Sequence, residues 1–71
     1  MKPTDTEILG LLDRMRGAIM PTFYIKNCLR GQYPGIQTAW VLRRMKALEK
    51  AGYVVRDSSQ YTTMFCWRLA D

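Results

Sequence analysis

The sequence has no histidine, only two cysteines and no long apolar run. Without histidine it lacks the usual general base near neutral pH and the commonest zinc ligand. Cys28 and Cys66 lie too far apart to make a CxxC half-site, so hydrolytic and structural-zinc readings fall away together. Each cysteine sits in an apolar stretch, which reads as two buried thiols in a reducing cytoplasm, with a disulfide between them as the other option. No apolar run is long enough to cross a bilayer, and Asp5 and Glu7 stand where a secretory signal would be basic and then apolar. Also missing are paired carboxylates placed for acid–base work, an activated nucleophile and a glycine loop shaped for phosphate. These absences predict a cytoplasmic protein that is not an enzyme, with no cofactor, no metal and no membrane partner.

Acids are scarce and unevenly placed: 11 Lys and Arg stand against 6 Asp and Glu. Between Arg14 and Arg56 nine basic residues face one acid, Glu49, a net of +8, and the flanks carry the other five acids. A distribution so lopsided suits a polyanion partner better than an evenly solvated surface would. With 48% apolar residues the chain has the composition of a folded domain rather than a disordered tail. No repeat, low-complexity tract or linker divides it, so residues 1–71 read as one domain.

Thr4 followed by Glu7 is a capping-box pattern, and Ile8, Leu11, Leu12 and Met15 then recur at helical spacing. A helix from about Asp5 to Met15 is expected, with Arg14 and Arg16 opposing the negative end of its dipole and Gly17 as its stop. Ala18-Ile19-Met20, held out of helix by Pro21, reads as a short extended piece. From Thr22 a two-turn helix puts Ile25, Cys28 and Leu29 on one face, and Gly31 can end it in the left-handed conformation. In Gln32-Tyr33-Pro34-Gly35, proline fixes its own φ and glycine supplies the positive φ that follows in a type II turn.

The third helix runs from about Ile36 or Gln37 to Ala51, with Val41, Met45 and Leu48 as its core stripe and Gly52 as its stop. Ala39, Arg43, Lys46 and Lys50 lie roughly opposite that stripe, with Trp40 and Arg44 on one edge and Leu42 on the other. Tyr53 to Arg56 reads as a strand, Asp57 to Gln60 as a turn, and Tyr61 to Leu69 as a second strand. On that second strand Tyr61, Thr63, Phe65, Trp67 and Leu69 share the face expected to cover the helices. The expected core is Ile8, Leu11, Leu12, Ile25, Leu29, Val41, Met45, Leu48, Val54, Trp67 and Leu69.

Val41-Leu42-Arg43-Arg44-Met45-Lys46-Ala47-Leu48-Glu49-Lys50-Ala51-Gly52-Tyr53-Val54 resembles the recognition helix and first wing strand of winged helix-turn-helix DNA-binding domains, found in many small bacterial and phage transcription regulators. Phe65-Cys66-Trp67-Arg68-Leu69 looks like the returning wing strand. The order of elements matches over nearly the whole chain, whereas residue types are specific only over the first of these stretches. The resemblance implies an α+β fold of three helices with a C-terminal hairpin wing. Its implied partner is double-stranded DNA, with the third helix in the major groove and the wing on the backbone or an adjacent minor groove.

Carried over by position, Gln37, Thr38, Trp40 and Arg43 are candidates for base edges, since Gln suits adenine and Arg suits guanine. Arg44, Lys46 and Lys50 are candidates for phosphate, and Arg56, Ser58, Ser59 and Gln60 for wing contacts. Packing competes for Trp40, a solvated face for Lys46 and Lys50, and simple turn formation for Ser58 and Ser59. The connection from Leu29 to Thr38 is longer than the family's tight turn, and the extra helices through which larger regulators dimerise are missing. A homodimer or a protein partner on DNA is thus left open, as are two other roles: an excisionase-like DNA-bending factor and a winged-helix protein-docking module.

Overall fold

The computed structural model describes residues 2–15, 18–57 and 65–70. Its α+β architecture runs α1 (Asp5–Arg14), β1 (Met20–Pro21), α2 (Thr22–Leu29), α3 (Thr38–Lys50), β2 (Val54–Arg56) and β3 (Cys66–Leu69). The three strands form one antiparallel sheet in the order β1-β3-β2. No helix among the described residues is long and apolar enough to cross a membrane.

The capping box forms as the sequence predicts. The Glu7 N–H donates to Thr4 Oγ1 at 3.2 Å, and the Thr4 N–H donates to the Glu7 carboxylate at 3.1 Å. The other Glu7 carboxylate oxygen accepts the Tyr33 hydroxyl, tying α1 to the segment between α2 and α3. That hydroxyl, followed by the Thr4 backbone N–H, holds the Glu7 carboxyl below its ordinary range, and the same bond raises the Tyr33 phenol.

Of the extended piece expected at Ala18-Ile19-Met20, the strand β1 keeps Met20 and takes in Pro21, pairing Met20 with Trp67 and Pro21 with Cys66. Proline is tolerated there because β1 is an edge strand. Pro21 also serves as N-cap of α2. The orphan N–H of Thr22 is satisfied by the Phe65 carbonyl at 3.1 Å, and the Thr22 hydroxyl donates to that same carbonyl at 2.9 Å. In return Thr22 Oγ1 accepts the indole N–H of Trp67 at 2.8 Å. A single threonine therefore links the start of α2 to the central strand.

Between α2 and α3, Ile36 N–H closes a turn on the Tyr33 carbonyl at 3.1 Å, with Gly35 at φ +89° as a type II turn needs. Gly52, at φ +90°, ends α3: its N–H donates to the Glu49 carbonyl and the Tyr53 N–H to the Leu48 carbonyl, each at 3.0 Å. This pair of bonds is the Schellman motif. Gly31 does not take the expected left-handed conformation, because the Leu29 carbonyl receives the N–H groups of Gln32 and Tyr33 and the chain leaves α2 through a right-handed turn.

Every residue of the expected core is buried except Leu69, which packs half-buried against its edge, while Met20 and Ile36 join the core without having been anticipated. Two expectations and one alternative need correction. Cys28 is exposed, since the buried stripe of α2 is Thr22, Ile25 and Leu29, and Cys28 lies about 90° from the middle of that stripe at 3.6 residues per turn. No disulfide joins it to Cys66, which is buried and whose thiol is raised first by burial and then by the Asp57 carboxylate. On β3 the inward–outward alternation fails: Cys66 and Trp67 are both fully buried, whereas Phe65 stays 40% exposed against two cations. Tyr61, Thr62, Thr63 and Met64 of the expected second strand lie outside the described residues, as does the expected stop at Gly17.

Two outcomes follow from these bonds. Thr22→Val leaves the buried Trp67 N–H without an acceptor and is expected to lower stability by about 1–3 kcal/mol, whereas Thr22→Ser keeps most of it, as read by chemical denaturation. Because Glu7 is lowered in the folded state, its bond to Tyr33 stabilises above the unfolded carboxylate range and is lost as pH falls through the folded value. The stability gap between wild type and Tyr33→Phe should accordingly be present at pH 7 and close in acid, measured as midpoint shifts across a pH series.

Candidate nucleic-acid interface

On α3 the burial of Val41, Met45 and Leu48 fixes which side faces outward. Ala39, Arg43, Lys46 and Lys50 are exposed on that outer side, as the sequence predicts, and Ala47 is exposed with them. Gln37 is the N-cap and Thr38 the first helical residue, both exposed; no side chain caps this end and no acid occupies its first turn. The Trp40 N–H turns back to the Gln37 carbonyl at 3.1 Å, which leaves the first two N–H groups, of Thr38 and Ala39, without a hydrogen bond among the described residues.

The ion pairs sort the cations into two sets. Arg44 Nε and Nη2 both donate to Asp5, at 2.9 and 2.7 Å, clamping α3 to the start of α1. Arg56 Nη2 donates to Glu49 at 3.0 Å, linking β2 to α3. Arg68 pairs with Asp57 at 3.2 Å. Among the described residues no ion pair reaches Arg43, Lys46 or Lys50. Asp5, Glu49 and Asp57 thus stand against framework cations, and among the described residues none of them pairs with the outer face of α3.

Aromatic rings hold some of the remaining cations. Lys46 Nζ lies 5.2 Å from the Phe65 ring centroid, and Arg56 Cζ lies 4.4 Å from the Phe65 centroid and 5.5 Å from that of Trp67. Trp40 is half-buried against the core with Lys2 Nζ 5.6 Å from its ring, so packing is its main role here. Of the sequence-predicted residues, the structure brings Gln37, Thr38, Arg43, Lys46 and Lys50 onto one helix with exposed side chains and commits Arg44 to Asp5. Ser58, Ser59 and Gln60 lie outside the described residues.

Two residues beside this surface were not singled out: Phe23, 45% exposed on α2, and Phe65. Their signal was present in the sequence as aromatic residues off the helical stripe and at the start of a strand, but an expected inward face absorbed Phe65. No family model, curated protein or solved structure matches this chain.

Both partners of the Arg44–Asp5 pair are more than a third exposed, so solvent screens it despite its two-pronged geometry. A double-mutant cycle of Arg44→Ala and Asp5→Ala, followed by denaturation, is expected to give a coupling of only about 0.2–1 kcal/mol that shrinks with added salt.

Proposed function

We propose that this chain is a winged helix-turn-helix domain that binds double-stranded DNA in a sequence-specific way, as a small transcription regulator of bacterial or phage type. The observation that carries this reading is the partition of charge: Arg43, Lys46 and Lys50 line the outer face of one helix without acidic partners among the described residues, while Asp5, Glu49 and Asp57 neutralise arginines elsewhere. The order of helices and strands and the β1-β3-β2 sheet support it, since they present α3 on one side and the β2–β3 ladder beside it. The role is binding without catalysis.

In this reading α3 lies in the major groove, which is wide enough for a helix. Gln37, Thr38 and Arg43 face base edges, and Arg43 offers the bidentate fork that matches guanine O6 and N7. Lys46 and Lys50 neutralise phosphates, giving affinity and register without sequence information. Arg44 serves the framework through Asp5, and Trp40 serves the core.

Selection of bound sequences from a random duplex pool, repeated for wild type, Arg43→Ala and Lys50→Ala, tests the assignment. Wild-type affinity should fall steeply with salt, by a log–log slope of about −0.9 per phosphate neutralised. Arg43→Ala is expected to relax preference at one base pair, a loss of about 1–3 kcal/mol in discrimination, whereas Lys50→Ala lowers affinity for all sequences alike. Affinity that stays flat between low and moderate salt overturns the proposal.

A further inference from the structure

Beside the outer face of α3 lies a cleft of about 280 Å³ lined by Thr22, Phe23, Thr38, Leu42 and Phe65, with walls that are almost wholly apolar. Thr38 and Leu42 stand four residues apart on α3, and Lys46 continues the same row, so the cleft runs along one edge of the helix toward that lysine. Phe23 and Phe65 stay 45% and 40% exposed, an uncommon degree for two neighbouring large apolar side chains. Around Phe65 the surroundings are cationic, with Lys46 Nζ 5.2 Å and Arg56 Cζ 4.4 Å from the ring centroid.

A ligand for this cleft must present an apolar face to two phenyl rings and a negative charge to Lys46, since Arg56 is already paired with Glu49. An aliphatic chain satisfies the rings and leaves the cation unused, and an inorganic anion does the reverse. A nucleotide carries both features at a fixed spacing: a base with a π-face that stacks on any aromatic ring, joined through sugar to phosphate. A paired base inside a duplex shows only its edge, so the occupant has to be a base that has left the stack.

We propose that this cleft seats one unpaired nucleobase, stacked on Phe65 and bordered by Phe23, with its phosphate at Lys46. The inference rests on the reading of α3 as a nucleic-acid-binding helix and adds a second mode of contact beside it. The seat selects a distorted or bulged duplex over a fully paired one. Because every base has a π-face, it shows little preference among the four bases.

The test uses the full chain and three duplexes built on one sequence it binds: fully paired, carrying one extra unpaired thymidine, and carrying an abasic residue at the same place. The extra residue is moved through each position of the site, and affinity is read by fluorescence anisotropy at constant salt. The thymidine bulge at the matching position is expected to bind about five- to a hundredfold tighter than the other two, the range one base–aromatic stack supplies. The abasic duplex keeps the bend and flexibility of a bulge but has no base to seat, so it should show no gain. Phe65→Leu should remove the advantage of the thymidine bulge.

If wild-type protein binds the thymidine and abasic bulges equally at every position while still binding the paired duplex, the seat is overturned and the duplex reading stands. If no duplex is bound, both fall, and the cleft becomes a surface for a protein partner. The wild-type comparison decides the matter even where Phe65→Leu fails to fold.

Discussion

The buried indole N–H of Trp67 constrains the molecule more than any other single group. Trp67 is the largest side chain fully removed from solvent, and an unmet N–H at that depth is costly. Thr22 Oγ1 accepts it and passes its own hydrogen to the Phe65 carbonyl, which also receives the Thr22 backbone N–H. One hydroxyl thereby fixes where α2 leaves the sheet, and α2 in turn packs against α3. The same node sets the backbone position of Phe65, and hence one wall of the surface cleft. The buried polar link and the exposed aromatic wall are thus two consequences of one local arrangement.

A second constraint is electrostatic. With a net charge of +5 the chain repels itself, and scattered acids could relieve this anywhere on the surface. Three of the six are instead spent where elements meet: Asp5 between α1 and α3, Glu49 between α3 and β2, Asp57 beside β3. Each exposed pair contributes little to stability. Their larger effect is to remove arginines from the pool of available cations, so that the charge left on α3 is concentrated on its outer face.

Much of this was legible in the residues. Periodicity of apolar side chains located α1 and α3, and the Thr4–Glu7 box, Pro34-Gly35 and Gly52 marked their boundaries with mechanisms that recur in the structure. Cys28 misled because a two-turn helix has too few residues to define the angle of its stripe. Met20 sits in a segment too short to show any period, and Ile36 is isolated behind a turn, so neither could be read as core. Thr22 was invisible for another reason: its burial depends on a partner 45 positions away, and local patterning carries no information about such a pair. For the candidate site, the exposed face of α3 followed directly from its buried stripe. That Arg44 belongs to Asp5 did not follow, because the pairing depends on how α1 crosses α3.

Arg56 shows how framework and surface are joined. Its guanidinium has five N–H donors, and among the described residues one hydrogen bond, to Glu49, draws on them. Its guanidinium carbon also lies over two aromatic rings, 4.4 Å from the Phe65 centroid and 5.5 Å from that of Trp67. The rings add a cation–π attraction to the ion pair, so the charge is held by an acid and by two π-systems. Arg56 therefore anchors β2 to α3 through Glu49 and to the central strand through the two rings, a combination that lysine, a point charge without a plane, could not provide. The interactions that position its charge are the same ones that hold the sheet against the helix.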